Sequence, residues 1–168
     1  MKYILLFLFF STAALAQNCN GIVTTINKQN QTRWLEKTVI SNGLAKNSPI
    51  RKITINRAIS TETESTDTDF HAFLWFEVYT QSPKWNVDGE AVILLADNSE
   101  IRLPISLKPK AAGKQFYSSA LLTLLPDRVE QIKVNKIVKV ELDGILVNLG
   151  EVVSANLIKD FNCIMEVK

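Results

Sequence analysis

The stretch IVKVELDGILVNL constrains the fold more than any other part of this chain. Apolar and polar residues alternate on both sides of Asp143-Gly144, and a period of two marks strands with one face in a core. Asp-Gly is a two-residue hairpin turn, because glycine takes positive φ without steric cost. That turn fixes a register. Leu142 faces Ile145, Val140 faces Val147 and Val138 faces Leu149, while Lys139, Glu141 and Asn148 lie on the other side. One apolar and one wet face is the mark of an antiparallel sheet.

The same pattern recurs. In EAVILLADNSEIRLPI, a turn at Asp97-Asn98 pairs Leu94 with Ile101 and Val92 with Leu103, with Arg102 pointing away. IRKITINRAI alternates through Ile53 and Ile55. FHAFLWFEVYT sets Phe70, Ala72, Leu74, Phe76 and Val78 on one side and His71, Phe73, Trp75 and Tyr79 on the other, which predicts a central strand covered on both faces. KQFYSSALLTL reads as a strand before Pro126, and strands are expected over 22–26 and 33–40. PDRVEQIKVNK has proline in its first turn, Asp127 and Glu130 early and Lys133 and Lys136 late, as a short helix favours. Val129 and Ile132 are its buried pair. Val153, Leu157, Phe161 and Ile164 form a stripe at helical spacing, predicting a C-terminal amphipathic helix laid over a sheet face. The fold class is therefore α+β, mainly antiparallel sheet built of hairpins, with one short helix and one C-terminal helix packed on it.

The start of the chain is of a different kind. Lys2 precedes an apolar run over 3–10, and small residues follow, ending Ala14-Leu15-Ala16. This is the layout of a secretory signal peptide cleaved after Ala16, leaving 17–168 as a single β-rich domain. The run is shorter than the roughly 20 residues that span a bilayer, so no stable membrane insertion is expected after cleavage. The protein is expected to be secreted or periplasmic. Lysine and arginine number 19 against 17 acidic residues, and 18 against 17 once Lys2 is lost. Such a balance offers no electrostatic grip on nucleic acid or on an anionic membrane.

Two cysteines, Cys19 and Cys163, stand at opposite ends of this domain. Lipidation of Cys19 conflicts with Asn18, which is bulkier than a lipoprotein cleavage site accepts. A catalytic thiol needs a base, and the chain holds one histidine, His71. In an exported chain two cysteines form one disulfide most simply, with Cys163 in the last turn of the C-terminal helix.

A cysteine just after the signal is followed by the GEAVILLADNSEIRL hairpin, then FYSSALLTLLPDRVEQIKVNKIVKVEL as strand, short helix and strand, then a last cysteine. Over roughly 88–168 this layout resembles a group of small exported bacterial proteins of unknown function. The resemblance implies architecture and export, and brings no catalytic residues with it.

Candidate chemistry is sparse. His71, two residues after Asp69, is read as a structural or surface histidine, because a functional base needs a partner within reach. Glu62, Glu64, Asp67 and Asp69 lie in STETESTDTD without the glycine and alternation of a calcium loop, and read as a solvated hairpin tip. KPKAAGK, with Lys108, Lys110 and Lys114, reads as a loop without phosphate-cradling glycines. No catalytic residue, metal ligand or cofactor is assigned. The candidate ligand-binding residues are Trp75, Tyr79 and Trp85. Exposed indole and phenol rings stack on sugars, whereas the bland reading packs Trp75 and Tyr79 beneath a helix. Trp85 lies in the polar loop QSPKWNVDG. The sequence therefore predicts an exported, non-catalytic binding or interaction module whose partner is an unknown protein or glycan. A carbohydrate-binding module using the aromatics around Trp85 is the alternative, and a hydrolase-type enzyme the third reading.

Overall fold

A computed structural model describes residues 19–29, 31–40, 48–60, 70–83 and 86–167. The chain runs β1 (Val23–Asn27), β2 (Thr32–Ile40), β3 (Ile50–Ser60), β4 (Phe70–Thr80), β5 (Asn86–Leu95), β6 (Glu100–Leu107), β7 (Lys110–Ala112), β8 (Gln115–Leu124), α1 (Pro126–Val134), β9 (Ile137–Leu142), β10 (Ile145–Asn148) and α2 (Glu151–Glu166). The strands make a six-stranded sheet, β1-β2-β3-β4-β8-β7, and a four-stranded sheet, β10-β9-β5-β6. All pairings are antiparallel. The expected α+β class, a mainly antiparallel sheet with one short and one C-terminal helix, is what folds.

The hairpin at Asp143-Gly144 has the expected register, with Leu142 opposite Ile145 and Val140 opposite Val147. Both turn residues have positive φ, 49° and 79°, the type I′ geometry whose twist matches the strands. The β5–β6 hairpin differs by one residue from the expected pairing. Ile93 lies opposite Ile101 and Ala91 opposite Leu103, so Val92 and Leu94 fall on the outer face. The turn is the cause. It is a three-residue connection closed by Leu95 N–H donating to the Ser99 carbonyl, with Asn98 at φ 66°. Asp97 accepts bonds from the Ser99 amide and hydroxyl, which holds the longer turn in place. One extra residue moves every following side chain to the other face.

KPKAAGK is likewise more than a loop. Ala112 pairs with Gln115 across a turn in which Gly113 has φ 64°, and this folds β7 back on β8.

The inner faces of the two sheets share one core. Ile53, Leu74, Phe76 and Leu122 from the larger sheet meet Ile93, Leu107 and Val140 from the smaller, with Val129 and Ile132 of α1 and Leu157, Phe161 and Ile164 of α2. The sheets meet where β6 lies beside β8, and α2 closes the other side against β2, β3 and β9. The Ser154 hydroxyl donates to the Ile137 carbonyl and seats the start of α2 on β9.

Its end is seated by Arg57. This side chain follows Ile53 and Ile55 on the inner face of β3 and is 7 % exposed. Its Nη1 donates to the carbonyls of Ile164, Met165 and Val167 at 3.3, 2.6 and 2.9 Å. The last carbonyls of a helix lack intrahelical partners and carry the negative end of its dipole, so a cation there is favourable twice over. Cys163, in the same turn, is joined to Cys19 with Cα atoms 5.6 Å apart. Sheet and disulfide thus grip the C-terminal turn of α2 from two directions. No helix among the described residues is long and apolar enough to cross a membrane.

Candidate functional site

The outer face of the six-stranded sheet carries the feature that the core does not explain. Directly paired residues of neighbouring strands point the same way, so the register assigns this face. Since Arg57 reaches α2 from the inner face, its neighbours Asn56 and Ala58 look outward, and with them Phe73, opposite Asn56, and His71, opposite Ala58. Trp34 is opposite Ala58 as well. The small Ala58 side chain leaves room above it, and Trp34 and Phe73 meet across it in a stack with ring centres 5.7 Å apart.

Along β4 the row continues through Trp75, Glu77 and Tyr79. Trp75 lies opposite Leu121, and Tyr79 opposite Tyr117, with the two phenol rings 5.4 Å apart and tilted. The Lys52 ammonium sits 5.1 Å from the centre of the Trp75 ring and 3.9 Å from the Glu77 carboxylate. Those two charges neutralise each other. On the same face, Ser119 and Thr123 flank Leu121 on β8, and Thr25 and Thr38 lie at the margin on β1 and β2. The Thr54 side chain is fully buried beneath this row, opposite Thr38 and Trp75, and its hydroxyl has no hydrogen-bond partner among the described residues. Trp34 is 37 % and Leu121 55 % exposed, while Phe73, Trp75, Tyr79 and Tyr117 are half-buried against one another.

Burial acts on one titratable group of this face. Burial first, and the negative charge of Glu77 second, push the Tyr117 hydroxyl above its ordinary pKa. The phenol stays a neutral hydrogen-bonding group there.

The bland reading, in which Trp75 and Tyr79 pack beneath a helix, does not hold. The face of β3 that meets α2 carries Arg57, and Trp75 stands on the opposite side of the sheet. β4 is central, as expected, but its second face lies open instead of being covered. Trp85 lies outside the described residues, as do residues 61–69 with their four carboxylates. His71 is exposed at the margin of the face, tilted against Phe73. Among the described residues no three His, Cys, Asp or Glu side chains gather where a metal could sit.

Sequence reasoning missed Trp34, Tyr117 and Leu121. Tyr117, Ser119, Leu121 and Thr123 alternate against the buried Ser118, Ala120, Leu122 and Leu124, so their shared side was readable. That Trp34 joins them required knowing that β2 and β4 both flank β3. No protein-family model, curated protein or solved structure matches this chain.

Proposed function

We propose that this chain is an exported, non-catalytic binding module, and that the outer face of the six-stranded sheet is its binding surface. The observation that carries the reading is the row from Trp34 and Phe73 through Trp75 to Tyr79 and Tyr117. Large aromatic side chains on a solvent-facing sheet, with few charges among them, match the composition of interface centres. The export reading rests on the signal-like residues 1–16 and on a disulfide, which belongs to oxidising compartments such as the periplasm or the extracellular medium.

A carbohydrate ligand is the second reading. Its support is the set of hydroxyls from Thr25, Thr38, Ser119 and Thr123 on the same face as the rings, which suits a neutral polyol better than an ionic ligand.

The test uses purified mature protein on a glycan array and against the soluble proteins of its native compartment. Leu121→Arg sets an unpaired charge in the middle of the face at an exposed position, so the fold stays intact. Binding lost in Leu121→Arg with an unchanged circular dichroism spectrum supports the reading. Wild-type binding that survives both Leu121→Arg and Trp34→Ala overturns it.

A further inference from the structure

β1 ends the six-stranded sheet and is hydrogen-bonded to β2 alone. An edge strand offers a row of unpaired N–H and C=O groups, and folded proteins blunt such edges with lysine, proline, bulges, brevity or a covering element. The other edges here follow that rule. β7 is three residues long and begins with Lys110; β6 lies beside β8; β10 has four residues, with Ile145 and Val147 turned into the core.

Among the described residues, β1 has no lysine, proline, bulge or covering element. Its five residues, Val23-Thr24-Thr25-Ile26-Asn27, include no charge and no proline, keep an unbroken register with β2, and are all exposed. Val23 and Ile26 are 61 % and 62 % exposed. Nor is the strand loose at its start. Cys19 is bonded to Cys163 four residues earlier, and the Lys37 ammonium donates to the Asn20 carbonyl. A tethered, uncharged, unguarded edge is a template for another strand.

We propose that the occupant is a second copy of this chain, paired β1 to β1 in antiparallel fashion about a two-fold axis through Thr25. A two-fold axis makes identical edges antiparallel and sets each residue opposite its mirror in sequence. Val23 then faces Asn27 of the second copy, Thr24 faces Ile26, and Thr25 faces itself. No like charges meet directly opposite each other, an arrangement that would destabilise the pair. The two six-stranded sheets become one sheet. Because the axis is perpendicular to it, both aromatic faces lie on the same side. Trp34 pairs with Thr25 across β1 and β2, so the two Trp34 residues stand three strand spacings apart, about 14 Å. Five residues per copy is far below the 20–30 of a standard interface, so this dimer is weak and forms as concentration rises. The inference is independent of what the aromatic face binds.

Analytical ultracentrifugation from micromolar to near-millimolar protein reads the association. Wild-type protein is expected to shift from monomer to dimer across that range. Thr25→Lys sets two ammonium groups face to face at the axis and is expected to stay monomeric with an unchanged melting temperature. Thr25→Cys is expected to form a covalent dimer in air, since directly opposed Cβ atoms lie about 4.5–5.5 Å apart. Leu146→Cys, at an exposed site on β10, is expected to cross-link at least tenfold more slowly. A monomer at every concentration overturns the proposal, as does a dimer that persists in Thr25→Lys or equal cross-linking of the two cysteine variants.

Discussion

The two sheets turn very different faces to water. On the four-stranded sheet, Arg102 bridges Glu90 and Glu100 at 2.6 and 2.7 Å, and Lys139 and Glu141 stand on the same side. Val92, Leu94, Pro104 and Leu146 interrupt the charges. On the six-stranded sheet, rings and hydroxyls outnumber the charges, which include Glu36 and Lys110, and the ion pair of Lys52 with Glu77 is folded over Trp75. Both sheets share one core, so burial explains neither difference. A face that needs only to stay wet is served by alternating charge, and the smaller sheet shows how little that takes. The larger sheet keeps side chains that gain from leaving water, half-buried among themselves. Under the proposed function, the first is a surface that ends the protein and the second one that meets a partner.

The largest test of this contrast is covalent. The larger sheet is tied at its edge, through Cys19 beside β1, whereas the smaller carries no such tie. Replacing both cysteines by serine is expected to cost about 2–4 kcal/mol in denaturant unfolding, since a long loop is released. Amide exchange should rise first in β1, β2 and the last turn of α2, with β5 and β6 unchanged. Uniform acceleration across both sheets would show that they do not differ in this way.

A smaller effect comes from side chains on the two faces. Trp75→Ala removes a half-buried ring and its contact with Lys52, and is expected to cost about 1–2 kcal/mol. Arg102→Ala removes an exposed ion-pair hub, and is expected to leave stability nearly unchanged. Equal losses from the two would erase the comparison.

The smallest effect is a division by pH. Both described tyrosines, Tyr79 and Tyr117, stand on the larger sheet's outer face. Because the folded protein holds the Tyr117 proton more tightly than the unfolded chain does, that stability is complete below about pH 10 and is lost as pH rises through the folded value. On the smaller sheet, the Ser99 hydroxyl first and its amide second hold the Asp97 carboxyl below the usual range. Its contribution is present above about pH 4 and is lost as pH falls. Tyr117→Phe should flatten only the alkaline limb of stability against pH, and Asp97→Asn only the acid limb.

Much of this architecture was legible in the residues, and the exceptions are physical. Asp143-Gly144 announced its register because a two-residue turn admits little else. Asp97-Asn98 did not, because asparagine tolerates the left-handed region and so permits a longer turn. Period two put Arg57 on the core side with Ile53 and Ile55, an apparent conflict in sequence. Its resolution is the carbonyl end of a helix more than 100 residues away, and no local pattern encodes that. The aromatic face was half visible for the same reason. Alternation shows which residues of one strand share a side, but only strand order shows which strands share a sheet.

The disulfide also decides how the molecule responds to tension. Cys19 and Cys163 are 144 residues apart in sequence and 5.6 Å apart at their Cα atoms. A pull applied to the segments flanking them runs through the sulfur bridge and bypasses both sheets. No strand is sheared and no hairpin unzips. Stretched from its two ends, the oxidised protein behaves as a short inextensible link, and yields its length only after reduction.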